Sequence, residues 1–261
     1  MHCPRPFLSL AVALFTAAVV SACDKDDDNV ARVAVASNFA PTLREIGRAF
    51  EKDTGYALDL SSASTGKLYA QIVNGAPFDL FLAADVERPE LLERAGRIVS
   101  GSRRTYATGR LVVWSGDARF VAQGCRAALE HAEARVAIAN PRTAPYGAAA
   151  REALVALGLW ERLLPRLAYG ENVAQALQFA ASGSAALAIV ALAQLEQIDP
   201  EQTACRWSVP EAFYEPVRQQ VVLLSRGADK PAAVALLDYL ARPETQRIVT
   251  ASGYGRGDVD D

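Results

Sequence analysis

Histidine is almost missing from this chain: of 261 residues only two are histidine, and His131 is the one that lies beyond the first two positions. It stands in "ALEHAEAR", a charged stretch that reads as a solvated helix face, and no G-x-S-x-G elbow accompanies it. A Ser-His-Asp hydrolase lacks the residues it would need. Excess positive charge is missing too. Net charge is −3 and the basic residues are scattered, so the electrostatic footprint of a nucleic-acid-binding protein is not there. Beyond the N-terminus, no run approaches the ~20 consecutive apolar residues that a membrane-spanning helix requires. What the chain does have is apolar residues at about half its positions, enough for a substantial core in one or two domains.

The N-terminus departs from the rest. Arg5 precedes an apolar run from Phe7 to Val20, followed by "VSAC". These are the charged, apolar and small-residue regions of a secretory signal, expected over 1–22. "VSAC" also resembles the lipobox of bacterial lipoproteins, which would place cleavage before Cys23 and a lipid on its sulfur; ordinary cleavage is the other reading. The following "DKDDDN" reads as a solvated acidic tether over 23–30. It lacks the glycine and the bidentate glutamate of an EF-hand loop. Once Cys3 leaves with the signal and Cys23 is lipidated, Cys125 and Cys205 remain, an even number in an oxidising compartment. A disulfide between them is expected.

"SSASTGKLYAQI" (Ser61 to Ile72) invites a nucleotide reading, because a Gly-Lys pair precedes an apolar periodic run. The P-loop pattern G-x-x-x-x-G-K-[ST] fails at both ends, with Ser61 where the first glycine belongs and Leu68 where a hydroxyl should reach the metal. What remains is a small-residue loop feeding a helix. Its first-turn N–H groups and the helix dipole can hold an anion without a charged side chain. An ordinary N-cap, with Ser64 or Thr65 satisfying one N–H, is the competing account.

Further along, short apolar runs alternate with helical patterns. "RVAVA", "ALDLS" and "DLFLAA" read as strands, with a helix carrying Leu43, Ile46 and Phe50 on one face. "GRLVVWS" begins a second series that includes "RVAIAN", "AALAIVA" and "QQVVLLS". Strands alternating with helices imply a mostly parallel sheet flanked by helices in each of two α/β lobes. The boundaries expected are 31–107 plus 217–261 for lobe I and 108–216 for lobe II. No low-complexity linker divides them, so the chain crosses by ordered segments. A ligand cleft then lies between the lobes, at the carboxyl ends of the strands. Ser37–Asn38, Ser64–Thr65, Pro145–Tyr146–Gly147 and Asn172–Val173 each stand at a helix start there, and none brings a catalytic group.

"VAVASNFAPTLREIGRAFEKDTG", "SASTGKLYAQIVNGAPFDLFLAAD", "NPRTAPYG" and "ENVAQAL" resemble, in order, blocks of the periplasmic molybdate-binding proteins, the ModA family. The resemblance runs from about Val33 to Tyr254. It implies a type II periplasmic-binding-protein fold whose two lobes close over molybdate or tungstate. The oxyanion is then delivered to an ABC transporter permease and its ATPase. Matched by motif, the oxyanion contacts are Ser37, Asn38, Thr65, Tyr146 and Val173, with Ser64 and Gly66 as additional donors. Some members place a tyrosine donor after the "IV" strand; here Ala191 stands in that place, and Asn38 is the expected compensation. Lys67 is expected to point to solvent, and Asp85 and Glu171 to act as caps or hinge partners, since a carboxylate repels a dianion. No cofactor, no resident metal and no enzymatic activity are implied. The implied protein is a monomer in the periplasm, touching the membrane only through a lipid anchor. A related receptor for another oxyanion such as sulfate is the alternative. A ferric site would want paired tyrosines and carboxylates, and a carboxylate site an arginine fork; neither is visible in these loops.

Overall fold

A computed structural model describes residues 28–131, 133–196 and 198–257. The signal over 1–22 and Cys23 lie outside these residues, as does most of the tether, whose last residue already starts the first strand. In chain order come β1 (Val30–Ala36), α1 (Ala40–Thr54), β2 (Ala57–Ala63), α2 (Thr65–Val73), β3 (Leu80–Leu82), α3 (Glu87–Arg94) and β4 (Arg104–Gly109). Next are β5 (Leu111–Ser115), α4 (Gly124–Glu130), β6 (Val136–Ala139), α5 (Pro145–Ala156), α6 (Trp160–Leu163), β7 (Leu167–Gly170) and α7 (Val173–Ala181). The chain ends with β8 (Leu187–Ala191), α8 (Leu192–Leu195), β9 (Cys205–Ser208), β10 (Val217–Leu223), α9 (Pro231–Leu240), α10 (Pro243–Ala251) and β11 (Gly255–Arg256).

The strands form two sheets, ordered β11-β4-β10-β3-β1-β2 and β7-β6-β8-β5-β9, each flanked by helices. Where strand and helix alternate, pairing is parallel, as in β1 with β2 and β3, and β6 with β7 and β8. β10 runs antiparallel to β3, and β5 antiparallel to β8. The reason is connectivity. β5 and β10 are the strands by which the chain enters each sheet from the other, so they must run against strands whose carboxyl ends face the partner sheet. The sheets are therefore mixed.

Burial follows the periodicity. Leu43, Ile46 and Phe50 of α1 are buried in the first core, with Pro41 near the helix start. At roughly 25 cal/mol per Å² of apolar area, such a face holds the helix far better than its propensity does. Trp114 is buried in the second core, while Trp160 and Trp207 pack partly buried against it. The crossing from β4 to β5 is abrupt, through Arg110 alone. Gly109 is required there, because a side chain at that position would overlap the Tyr146 hydroxyl.

Cys125 in α4 and Cys205 in β9 are joined in a disulfide across 80 residues of sequence, inside the second core. Closing a loop of that length constrains the unfolded chain by roughly 4 kcal/mol. Replacing both cysteines with serine is expected to lower the urea-unfolding free energy by about 2–4 kcal/mol. A double variant as stable as the parent, or two free thiols by mass in the exported protein, would refute a structural role for the pair.

Candidate functional site

β1, β2, β6 and β7 each feed a helix, α1, α2, α5 and α7, at the side where the two sheets face one another. Their first turns enclose a small pocket, with about 10 Å³ of room for the centre of a water-sized sphere. It is far smaller than the 300–1,000 Å³ typical of drug-sized ligands and is suited to an ion. Ser37, Asn38, Ser64 and Thr65 line it from the first lobe, and Tyr146 and Val173 from the second. Alanines 36, 63, 84 and 144 fill the gaps between them. None of the lining residues carries a formal charge. Positive potential comes instead from four converging helix N-termini, each equivalent to roughly half an elementary charge.

The hydroxyls decide between an anion site and ordinary capping. Ser64 is the N-cap of α2, yet its side chain makes no capping bond. The Oγ is buried and has no partner among the described residues. A buried hydroxyl without a partner costs about 1–3 kcal/mol, so this one awaits an acceptor. Thr65 Oγ1 accepts the Ala84 N–H at 3.1 Å, which leaves its O–H free to donate. Asn172 behaves differently: its Oδ1 accepts the Gln175 N–H at 3.0 Å as an ordinary N-cap of α7.

Other expected contacts shift in meaning. The Asn38 amide donates to Gln219 Oε1 at 2.8 Å and to the Tyr254 hydroxyl at 3.2 Å, so its side chain is committed to the core. Its backbone N–H donates to none of the described residues, and that is the group left for an anion. Tyr146 likewise faces the pocket with its backbone, while its hydroxyl accepts from Gln219 Nε2 at 3.4 Å beneath the crossing strands. Gly66 does not serve as an additional donor here. Its N–H is spent on the Thr143 carbonyl of the other lobe at 2.9 Å, and it is not part of the pocket lining. Ala191 is buried outside the lining, with its N–H on Gln194 Oε1 at 3.3 Å.

The charged neighbours keep out of the pocket. Asp85 accepts the Arg88 N–H at 3.1 Å and pairs with its guanidinium. Burial raises the Asp85 pKa above the ordinary carboxylate value, although Arg88 opposes the shift. Lys67 is not simply directed to solvent: its Nζ lies 2.6 Å from Glu171 Oε2, on the opposite lobe. Two larger hollows, of about 340 and 680 Å³, lie outside the pocket, the first adjoining it through Ala84 and Pro145. The first sets four carboxylates, Asp85, Glu87, Glu152 and Glu215, against two guanidiniums, Arg88 and Arg218, a net negative lining that disfavours an anion. The second lies within the β5-containing lobe, away from the facing strand ends.

Beneath the pocket sits a set of groups that the motif comparison did not single out. Gln219, fully buried in β10, accepts from Asn38 and from the Tyr106 hydroxyl at 3.2 Å, and donates to Tyr146. Tyr254 donates to the Asn38 carbonyl at 2.8 Å. One glutamine on a strand that crosses between the lobes thus ties a first-lobe pocket loop to a second-lobe pocket helix. The signal available in the sequence was polarity in the wrong place: paired glutamines inside the apolar strand "QQVVLLS".

Residues 31–255 match the family described as bacterial extracellular solute-binding protein. The chain is 47% identical over 224 residues to the molybdate-binding protein ModA of Azotobacter vinelandii, covering 86% of this chain and 89% of that one. It is 43% identical to ModA of Rhodobacter capsulatus, over 85% of this chain and 86% of that one. Its fold superposes on the solved periplasmic molybdate-binding protein of Azotobacter vinelandii with a TM-score of 0.81 at 39% identity, covering 86% of this chain and 98% of the other.

Burial pushes the phenol pKa values of Tyr106, Tyr146 and Tyr254 upward, so all three stay protonated throughout the neutral range. In the unfolded chain they ionise near pH ~10. Above that pH the unfolded state sheds protons that the folded state retains, and unfolding gains. Stability measured by urea midpoint is expected to be insensitive to these groups up to about pH 9 and to fall above about pH 10. A midpoint that holds or rises through about pH 11 would contradict the burial of these hydroxyls.

Proposed function

We propose a function from one premise: the chain belongs to the ModA family of bacterial extracellular solute-binding proteins. It captures molybdate, and tungstate equally, outside the cytoplasmic membrane and delivers it to an ABC importer, a permease with its ATPase. The first 22 residues export it and Cys23 carries a lipid anchor. The molybdenum is cargo, held only as its oxyanion. The role is binding and release, not catalysis.

One observation carries this reading above the others. An uncharged, ion-sized pocket is shared by both lobes and contains a buried serine hydroxyl without a partner. A dianion taken into such a space loses its hydration, and every oxygen needs a replacement donor. Backbone N–H groups at Asn38, Thr65, Tyr146 and Val173, with the Ser37, Ser64 and Thr65 hydroxyls, are the donors we assign. Hydrogen bonds to an ionised acceptor contribute roughly 1.5–3 kcal/mol each. Half a dozen support sub-micromolar binding, about −8 kcal/mol or better, after association costs.

Size supplies selectivity. The Mo–O and W–O bonds are longer than S–O, so a cage fitted to the larger tetrahedron leaves sulfate with unmade hydrogen bonds, each costly in a buried site. Molybdate and tungstate differ too little for this pocket to separate them.

Calorimetry on the exported protein with molybdate, tungstate, sulfate and phosphate tests the proposal directly. Saturable heat with the first two and none with the others is expected; preference for sulfate would replace the reading with its alternative. Ser64→Ala should weaken molybdate binding about tenfold or more while leaving the ligand-free protein as stable as before or more so, since it deletes an orphaned hydroxyl. Unchanged affinity in that variant would remove Ser64 from the donor set.

A further inference from the structure

Two contacts cross the gap between the lobes beside the pocket, and both start from consecutive residues of α2. The Gly66 N–H donates to the Thr143 carbonyl at 2.9 Å, and Lys67 Nζ lies 2.6 Å from Glu171 Oε2. Their partners stand on the two second-lobe loops that deliver Tyr146 and Val173 to the pocket. Both loops are braced. The Thr143 and Arg142 N–H groups bond Asn140, and the Glu171 N–H bonds Gln175 Oε1. Neither Gly66 nor Lys67 lines the pocket.

Gly66 also explains why its neighbour can come so close. A Cβ at this position would lie 2.9 Å from the Thr143 carbonyl oxygen and 3.1 Å from its Cα. Both are backbone atoms, which cannot swing aside as a side-chain tip can. Gly66 itself sits in a helical first turn with no positive φ, so alanine suits its own backbone. The collision is with the opposite lobe, so moving the lobes apart would relieve it. Beside it, the ion pair is half-exposed on both sides, with side-chain exposures of 51% and 65%, and therefore open to screening by salt.

We infer that Gly66 and Lys67 are positioning residues that act through lobe closure, forming with Thr143 and Glu171 a clasp that sets how long the pocket stays shut. The inference rests on the oxyanion-receptor reading for its ligand readout. The clasp touches no ligand atom. It adds affinity because its two contacts exist only in the closed form, so a ligand that closes the lobes gains them as well.

The test uses the exported full-length protein with molybdate as probe, comparing wild type with G66A, K67A, E171Q and the charge-swapped K67E/E171K. Affinity and off-rate come from calorimetry and a chase experiment, and lobe closure from small-angle scattering. G66A is expected to bind about tenfold or more weakly, with a faster off-rate and an undiminished ligand-free thermal midpoint, and to stay extended when molybdate is added. K67A and E171Q should weaken binding by about two- to fivefold in dilute buffer, a deficit that fades at roughly 0.5 M salt and is repaired by the charge swap. A G66A protein that binds and releases like wild type overturns the clasp and leaves the receptor reading standing. So does one that closes fully yet binds weakly, because the added methyl would then act on the pocket itself and not on closure. If wild type takes up none of the anions, the receptor reading fails instead. Scattering of ligand-free wild type and G66A then judges the clasp alone, which requires G66A to be the more extended of the two.

Discussion

A doubly charged ion can leave water only if something replaces the water, and that requirement shapes the centre of this molecule. A single lysine or arginine would supply charge, but it would attract any small dianion and respond poorly to ligand size. Fixed dipoles demand more of the fold. They must converge from several directions, and none may be consumed by its own helix. Here four helix starts meet, and three of them lack the usual side-chain cap: Ser64 leaves its hydroxyl unpaired, and Phe39 and Ala144 have none to offer. Conventional capping at these positions would steady α1, α2 and α5 by about 1 kcal/mol each. The pocket forgoes that stability. Asn172, whose side chain caps α7 in the ordinary way, marks the contrast.

Holding those starts in register falls to the strands and to what lies beneath them. Small residues at the strand ends, Ala36, Ala63 and Ala84, let the loops approach without filling the space. Under the loops, Gln219 is bonded to Asn38 on one side and Tyr146 on the other, with Tyr106 and Tyr254 completing the set. A buried polar network of this kind is costly if any member is left unsatisfied, so it fixes one arrangement and penalises drift. Its location is informative. β10 is one of the strands by which the chain passes between lobes, and its ladder with β4 shifts register between Gln219 and Gln220. The irregularity therefore lies beside the residue that joins the pocket to the crossing.

Much of this was legible in the sequence, and the remainder was hidden for identifiable reasons. Periodicity located the strands and helices, because a pattern of burial is written in every residue of an element. Motif order brought together Ser37, Asn38, Ser64, Thr65, Tyr146 and Val173, which do line one pocket. Motifs name positions, however, and not atoms. Asn38 and Tyr146 look like side-chain donors in one dimension, yet both turn their polar tips into the core and present backbone to the pocket. Gly66 reads as one more N–H for an anion, and only the proximity of Thr143, 77 positions later, shows where that N–H goes. Antiparallel strands escaped the alternation rule for a similar reason. Their direction depends on which lobe the chain arrives from, and that is a global property.

Lys67 and Glu171 bring the two scales together. A lysine beside an anion pocket suggests a counter-ion, and a glutamate beside one suggests an error, until each is seen to neutralise the other across the gap. Placed inside, the pair would bring one attractive and one repulsive charge to the ligand and pay a large desolvation penalty. Placed at the rim, it leaves the interior to dipoles and acts only on the distance between lobes. Because it is solvated it contributes little, and a weak contact suits the delivery role we propose. In that role, each increment of closed-state stability that slows loss of the ion also slows its release. A clasp made of one backbone hydrogen bond and one screened ion pair is therefore better suited to this duty than a buried salt bridge would be.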